Sequence, residues 1–366
     1  MKKLVAFCGH EKADFLSTLN KRVNEYFKNK NIPVTGNWKM YLKTVIMLSI
    51  YWLPFFFLLS NITTSYIVFY LLWAIMGVGA AGIAMGIIHD AAHGSYSKNK
   101  RINKIVCWLS CSLGNLIDLW KFQHNFLHHF HTNIPDLDHD IQGSNILRLS
   151  TTAPLLKAHR TQHIHAWFQY CFYTLGRFFG EIGSISYYGK ISNKKESPDE
   201  YRINTKIQYR KMLIIKSAYL FCFIGLPIIL TSFNWLIILS GFLLMHFISG
   251  FILSDVFQLA HVVVGAEQPI PKDGKIPTNF GEHEMKTTWN FKAHPIISWY
   301  LGGLDNQGVH HLLAHICHIH YPKLAPILKK TAEEFNIPYL CHDSIIQANR
   351  SHFMKLKILG RNKITA

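Results

Sequence analysis

Acidic residues are scarce in this chain. Asp and Glu number 21 against 38 Lys and Arg, for a formal net charge of +17. Such an imbalance fits nucleic acid, an anionic membrane surface or an acidic protein partner. Basic residues are in turn missing from two long stretches, 44–97 and 217–271. A nucleic-acid binder has no reason to clear positive charge from blocks of that length, whereas a membrane protein does, so nucleic acid is excluded as a partner. Cysteine offers no scaffold either. The seven Cys, at 8, 107, 111, 171, 222, 317 and 341, are odd in number, irregularly spaced and without a CxxC pair. They read as reduced thiols on the cytosolic side or within a bilayer. The opening MKKLVAFCGHEKADF lacks an apolar run long enough for a signal peptide, so membrane segments must carry the targeting. No solenoid-like repeat and no low-complexity tract is present.

What remains is hydrophobic and aromatic. A transmembrane helix needs about 20 mostly apolar residues, and four segments qualify, at about 44–60, 65–88, 212–231 and 234–254. The connections NITT (Asn61–Thr64) and SFN (Ser232–Asn234) are too short for anything but tight hairpins. Neither contains Lys or Arg, while the segment before Thr44 holds nine and Lys206, Arg210 and Lys211 precede the third span. The positive-inside rule therefore places both tight loops outside and both termini in the cytosol. The expected architecture is an all-α integral membrane protein, with two helical hairpins and a cytosolic helical cap carrying a di-metal site. Three regions follow: a basic N-terminal segment 1–43, a membrane-embedded domain 44–326 and a cytosolic C-terminal tail 327–366. Between the hairpins, Ile105–Leu119 reads as an interfacial or re-entrant helix, His165–Gly180 as an amphipathic helix on the membrane surface, and Lys190–Arg202 as an exposed loop.

Histidine carries the chemistry. HDAAH places His89 and His93 at i and i+4 near the end of the second span, on one helix face. HNFLHH repeats that spacing with His124 and His128 and adds His129. QGVHH sets Gln307 three and four residues before His310 and His311. One HxxxH arises by chance in a histidine-rich chain, but three such groups at one predicted membrane face do not. Imidazole suits Fe, Cu, Zn and Ni. A structural zinc needs only four ligands, and these groups offer seven histidines, so more than one ion is implied. His283–Glu284 is not followed by a second His at zinc-protease spacing.

HDAAHGSYS (His89–Ser97), HNFLHHFHTN (His124–Asn133) and GGLDNQGVHHLLAHICHIHYP (Gly302–Pro322) resemble the three histidine boxes of membrane fatty acid desaturases. Their order, HxxxH, HxxHH and QxxHH, is similar to that of the front-end acyl desaturases and their bacterial relatives. TTWNF and WYLGGL fit the approach to the third box. The resemblance implies two iron ions held mainly by histidine, with O2 and two electrons removing hydrogens from adjacent methylenes of a fatty acyl chain, carried on CoA or on a lipid. It assigns as ligands His89, His93, His124, His128, His129, His310 and His311, and, just after the fourth span, His261. Gln307 stands where other members have a histidine; it is a candidate ligand or an orienting group. Asp90, Asp255, His318 and His320 are candidates to ligate metal or to hold a ligand ring by its outer N–H. Asp118, Asp136, Asp138 and Asp140 are further candidates, the last three also fitting a solvated acidic turn.

The chain departs from the family pattern around the third box. Val309 replaces an acidic residue, Leu312, Leu313 and Ala314 replace Leu-Phe-Pro, and Asp305–Asn306 replaces Asn-Phe. These changes bear on substrate and double-bond position more than on metal binding. No haem-binding His-Pro-Gly-Gly occurs in 1–43, so electrons are expected from a separate donor of the ferredoxin or cytochrome b5 type. A hydroxylase of the same superfamily is the alternative product outcome, and a metal transporter the alternative from another class. His246, within the fourth span, contacts either a helix partner or a substrate channel; Trp120 either lines an acyl tunnel or anchors the interface. His159, His163 and His165 are expected at the surface, and His315 is expected to be exposed.

Overall fold

The structure, a computed structural model, describes residues 5–9, 12–194 and 197–361. The chain folds as two compact units: one from 1–36, 123–166 and 255–366, the other from 37–122 and 167–254.

The second unit is built on apolar helices. Four helices are long and apolar enough to cross a membrane: Trp38–Leu59, Tyr66–Ala92, Thr205–Leu230 and Trp235–His261, the last continuing from Asp255 into the first unit. Each outruns the span expected from hydropathy. Backbone hydrogen bonding does not stop where apolar side chains do, so polar turns such as Trp38–Lys43 and Thr205–Lys211 remain helical. Side-chain caps set two of the starts: Asn37 Oδ1 accepts from Lys39 N at 3.0 Å, and Ser65 Oγ from Val68 N. Small residues let the helices meet backbone to backbone, as membrane helices require. A Cβ on Gly79 would lie 2.8 Å from the backbone nitrogen of Tyr51.

Ile105–Leu119 is neither a span nor one helix. Lys100–Cys107 is α-helical, Trp108–Leu113 narrows to 3-10, and Gly114 at φ 70° ends the run before Ile117–Lys121. The break is held by a buried ion pair: Glu181 accepts from Leu116 N at 2.8 Å and meets Lys216 Nζ at 2.8 Å. The expected helix over 165–180 is two, Gln162–Tyr170 and Tyr173–Ser192, and the second consumes the start of the predicted 190–202 loop. Ser197 of that loop is buried.

The first unit has its own core. The helix Asp14–Lys30 buries Phe15, Leu19, Val23 and Phe27, one residue per turn. They pack with Val309, Leu312 and Leu313 of Gln307–Leu313 and with Leu324, Leu328 and Ala332 of Tyr321–Glu334. Residues 345–359 form a helix that buries Ala348, His352, Leu356 and Leu359. Two short parallel pairings tie distant segments: Ala6–Phe7 with Lys275–Ile276, and Asn290–Phe291 with Cys341–His342.

Candidate metal centre

The second histidine box lies on a π-helical turn, Phe122–His128. A π turn bonds i to i+5 and is wider than the 3.6-residue α turn, so both i+4 and i+5 come to lie beside i. His129 N accordingly donates to His124 O at 3.0 Å. The ring of His124 lies 5.3 Å from that of His128 and 4.7 Å from that of His129, between centroids. The i, i+4 spacing in the sequence anticipates the first neighbour. The second is a product of the widened turn.

The third box follows a turn in which Gly302 and Gly303 both take positive φ, 69° and 71°. A side chain at Gly303 would press on Tyr321 and His318. Asn290 Oδ1 accepts from Gly308 N at 3.0 Å and fixes the start of the Gln307–Leu313 helix, from which His310 and His311 project into the interior. His261 ends the helix Trp235–His261 and is fully buried. Its ring lies 4.7 Å from His128 and 4.9 Å from His311; His129 stacks 4.5 Å from His311 and 4.7 Å from His310.

Three groups in this unit have donor atoms all within 4.8 Å of one another: His128, His261 and His311; His129, His310 and His311; and His124, His128 and Asp140. Six of the eight histidines assigned by the boxes and the fourth span thus converge here. His89 and His93 belong to the second unit, where their rings lie 4.8 Å apart as the i, i+4 spacing requires. Trp120 packs 5.8 Å from His89.

The groups fit a metal ion. Nε2 of His128, both ring nitrogens of His261 and Oε1 of Gln307 are buried with no hydrogen-bond partner among the described residues. A buried polar atom left unpaired costs about 1–3 kcal/mol, and a cation accepting lone pairs would remove that cost. The outer nitrogens are held by protein. Asp138, fully buried, takes His128 Nδ1 at 2.9 Å while its oxygens accept from Asn133 N at 2.8 Å and Asp140 N at 2.9 Å. His311 Nδ1 lies 2.9 Å from Glu284 Oε2 and 3.2 Å from Thr132 Oγ1, and His310 Nδ1 lies 3.3 Å from the Tyr321 hydroxyl. Burial pulls His128 toward neutrality, but Asp138, with Asp140 and Glu284 behind it, outweighs burial and lifts its pKa to about 9. Burial lifts Glu284 to about 8 and drops the neighbouring His283 to about 4.

Of the acidic candidates, Asp138 faces a ring, Asp140 lies 3.6 Å from His124 Nδ1, and Asp136 is exposed at positive φ. Asp118 instead pairs with Lys211 and Gln208, each at 2.7 Å, far in role from any histidine. Asp90 is buried and belongs to the second unit. Asp255 pairs with Asn349 and joins none of the three groups. His320 turns to Thr35 O at 3.4 Å and to the Phe27 ring, and His318 packs under Gly303. His159 and His163 are buried rather than at the surface, because the former bridges Leu156 N and Ser144 O and the latter packs on Phe353. His315 is exposed. His246 is held by Tyr219 OH and Thr174 Oγ1, both at 3.0 Å, a helix-partner role. Glu284 and Thr132 reach His311 only through tertiary packing, and no spacing in the chain relates either of them to that ring.

Comparison with known proteins identifies the family. The fatty acid desaturase family model matches residues 64–342. The chain belongs to the fatty acid desaturase family. It is 34% identical to an sn-1 linoleoyl-lipid 6-desaturase of Arthrospira platensis, covering 96% of this chain and 94% of the relative. A protein of the same name from Synechocystis sp. is 30% identical over 96% of this chain and 97% of its own. An acyl-lipid (8-3)-desaturase of Physcomitrium patens is 31% identical over 98% of this chain and 74% of its own. The protein is a membrane oxidoreductase, a fatty acid desaturase of the front-end type, with histidine clusters suited to metal.

Proposed function

We propose that this desaturase uses two iron ions and O2 to insert a double bond into a lipid-bound acyl chain of the linoleoyl type. The names of the relatives support the lipid carrier and the carboxyl-side position. The observation that carries the metal reading is the set of converging, buried ring nitrogens left without hydrogen-bond partners on His128 and His261. His124, His128, His129, His261, His310 and His311 are the proposed ligands from the first unit, and the spacing of the first box assigns His89 and His93. Gln307 offers its buried Oε1 as a further oxygen donor. Imidazole alone does not separate iron from zinc, but zinc has no redox chemistry. Iron with O2 supplies an oxidant able to take hydrogen from an unactivated methylene, which side-chain acids and bases cannot do. The protein's part is to hold the rings in fixed tautomers, through Asp138 and Tyr321 for His128 and His310, and to limit the access of water to a largely buried site.

The electrons come from a separate donor of the ferredoxin or cytochrome b5 type, drawn by the +17 charge. By the positive-inside rule both termini and the metal centre face the cytosol. Expression in a host without polyunsaturated acids, fed linoleate and supplied with a donor, tests the reading by mass spectrometry of total lipid. A new double bond at position 6 is expected. An unchanged profile, a hydroxylated product, or product appearing first in the CoA pool would refute it. His128→Ala should abolish turnover while leaving the protein in the membrane.

A further inference from the structure

Glu284 lies outside every histidine box, yet it is fully buried beside the metal centre. It sits on the short helix Phe280–Thr287, whose start is capped by Asn279 Oδ1 accepting from Glu282 N at 2.9 Å. The other end is gripped as well. Asn133 Nδ2 donates to Thr287 O at 3.0 Å, and Thr288 Oγ1 donates to Glu284 O at 2.6 Å. The backbone is thus fixed on both sides of the carboxylate. Glu284 makes no ion pair with Lys or Arg among the described residues; its ion-pair contact is His311, with Nδ1 2.9 Å from Oε2, and His128 is close enough to act on its charge. A carboxylate buried without a cation is expensive, so this position makes sense only if its charge answers positive charge within the histidine cluster.

We propose that Glu284 is the positioning residue for His311: Oε2 stands 2.9 Å from Nδ1 with its hydrogen-bonding capacity unused, and takes up the Nδ1–H once metal is bound, so that the ring would present its Nε2 lone pair to an ion that His128 and His261 would also hold. Beside a bound cation Glu284 is a carboxylate and can only accept, so in that state the hydrogen belongs to Nδ1 and the tautomer is set. This rests on the metal reading above. What it adds is that the third box is functionally incomplete without an acceptor from a helix that carries no box. The requirement is for an acceptor oxygen at that place, and the amide of Gln satisfies it.

The test compares wild-type protein, Glu284→Leu and Glu284→Gln, purified whole in detergent and titrated with ferrous iron under anaerobic conditions. Bound iron is read by elemental analysis, the ligand field by Mössbauer spectroscopy, and the iron-free melting temperature is recorded for each. Glu284→Leu should lose 10–100-fold in iron affinity, the range for removing a partner of a metal-bound histidine. Its iron-free form should melt at or above the wild-type temperature, because a buried carboxylate has gone. Glu284→Gln should recover affinity and the wild-type spectrum. Wild type and Glu284→Leu loading equally would overturn the positioning role alone. A lower iron-free melting temperature in Glu284→Leu, matching its loss of iron, would reduce the residue to a structural one. Wild-type protein that takes up no iron would overturn the metal reading and this role with it.

Discussion

Asn133, the last residue of the second histidine box, is where the metal centre should be most vulnerable without any ligand being touched. It is fully buried in the left-handed region at φ 56°. Its side-chain amide donates to His261 O at 2.9 Å and to Thr287 O at 3.0 Å, and its backbone N–H donates to Asp138 at 2.8 Å. One residue therefore ties together the end of the fourth span, the Glu284 helix and the carboxylate that holds His128. Two substitutions separate its roles. Asn133→Gly keeps the backbone conformation but leaves two buried carbonyls unpaired, at about 1–1.5 kcal/mol each or about 2–3 kcal/mol together. Asn133→Ala adds the cost of a Cβ at positive φ, about 1–2 kcal/mol more. For a unit of this size 1 kcal/mol moves Tm by about 2–4 °C. Asn133→Gly should therefore melt about 4–12 °C below wild type, and Asn133→Ala a further about 2–8 °C lower, in detergent at pH 7. Equal melting of the two variants would refute the backbone argument. A Tm unchanged in both would refute the claim that these bonds hold the site together.

Further expectations follow from single contacts. His352 is fully buried with Nδ1 2.6 Å from Val262 O, and burial lowers its pKa to about 4. Its folded pKa is depressed, so the unfolded chain binds the proton first as pH falls below 6.5, and stability is lost from about pH 6.5 toward pH 4, by up to about 3 kcal/mol. His352→Asn keeps an N–H for Val262 and should flatten that part of the pH–Tm curve; an unaltered slope would refute the assignment. Stripping metal with a chelator should lower Tm by the linkage amount, about 4 kcal/mol of stability where free metal had stood at 1,000 times Kd. His261→Ala should abolish most of that chelator sensitivity. His246→Leu removes bonds to Tyr219 and Thr174 and should cost about 1–2 kcal/mol with iron content unchanged; a loss of iron would place His246 in the metal site after all.

The spans and the ring spacing were legible in the sequence because both are local properties. Apolar stretches of span length with almost no charge mark membrane helices whatever the tertiary fold. His89 and His93 meet because i and i+4 share a helix face. His129 is the first step beyond local rules. Only the π turn over Phe122–His128 brings it beside His124, and no spacing announces a π turn. The N-terminal residues show the same limit from another side. Phe15, Leu19, Val23 and Phe27 have helical spacing, but only packing shows that they cover the core beneath the third box.

What stayed hidden at the site is what holds the rings, and the reason is sequence distance. His311 and Glu284 are separated by a β pairing, a short helix and the paired-glycine turn, so no pattern of spacing relates them. Asp138 could be suspected from its place after the second box, yet nothing in the run Asp136–Asp140 says which carboxylate turns inward. The structure decides it by backbone: Asp136 takes positive φ and faces out, while two backbone N–H groups draw the oxygens of Asp138 inward beside His128. Asp138 and Glu284 are both fully buried, and their ionic partners are imidazoles. Each takes the Nδ1 side of its ring, His128 or His311, and these two rings share one donor group with His261. Two buried carboxyl groups whose ionic partners are ring nitrogens are costly to ionise alone and favourable as anions around a dication. The carboxylates, more than the count of histidines, therefore argue that this cluster is shaped for a metal ion.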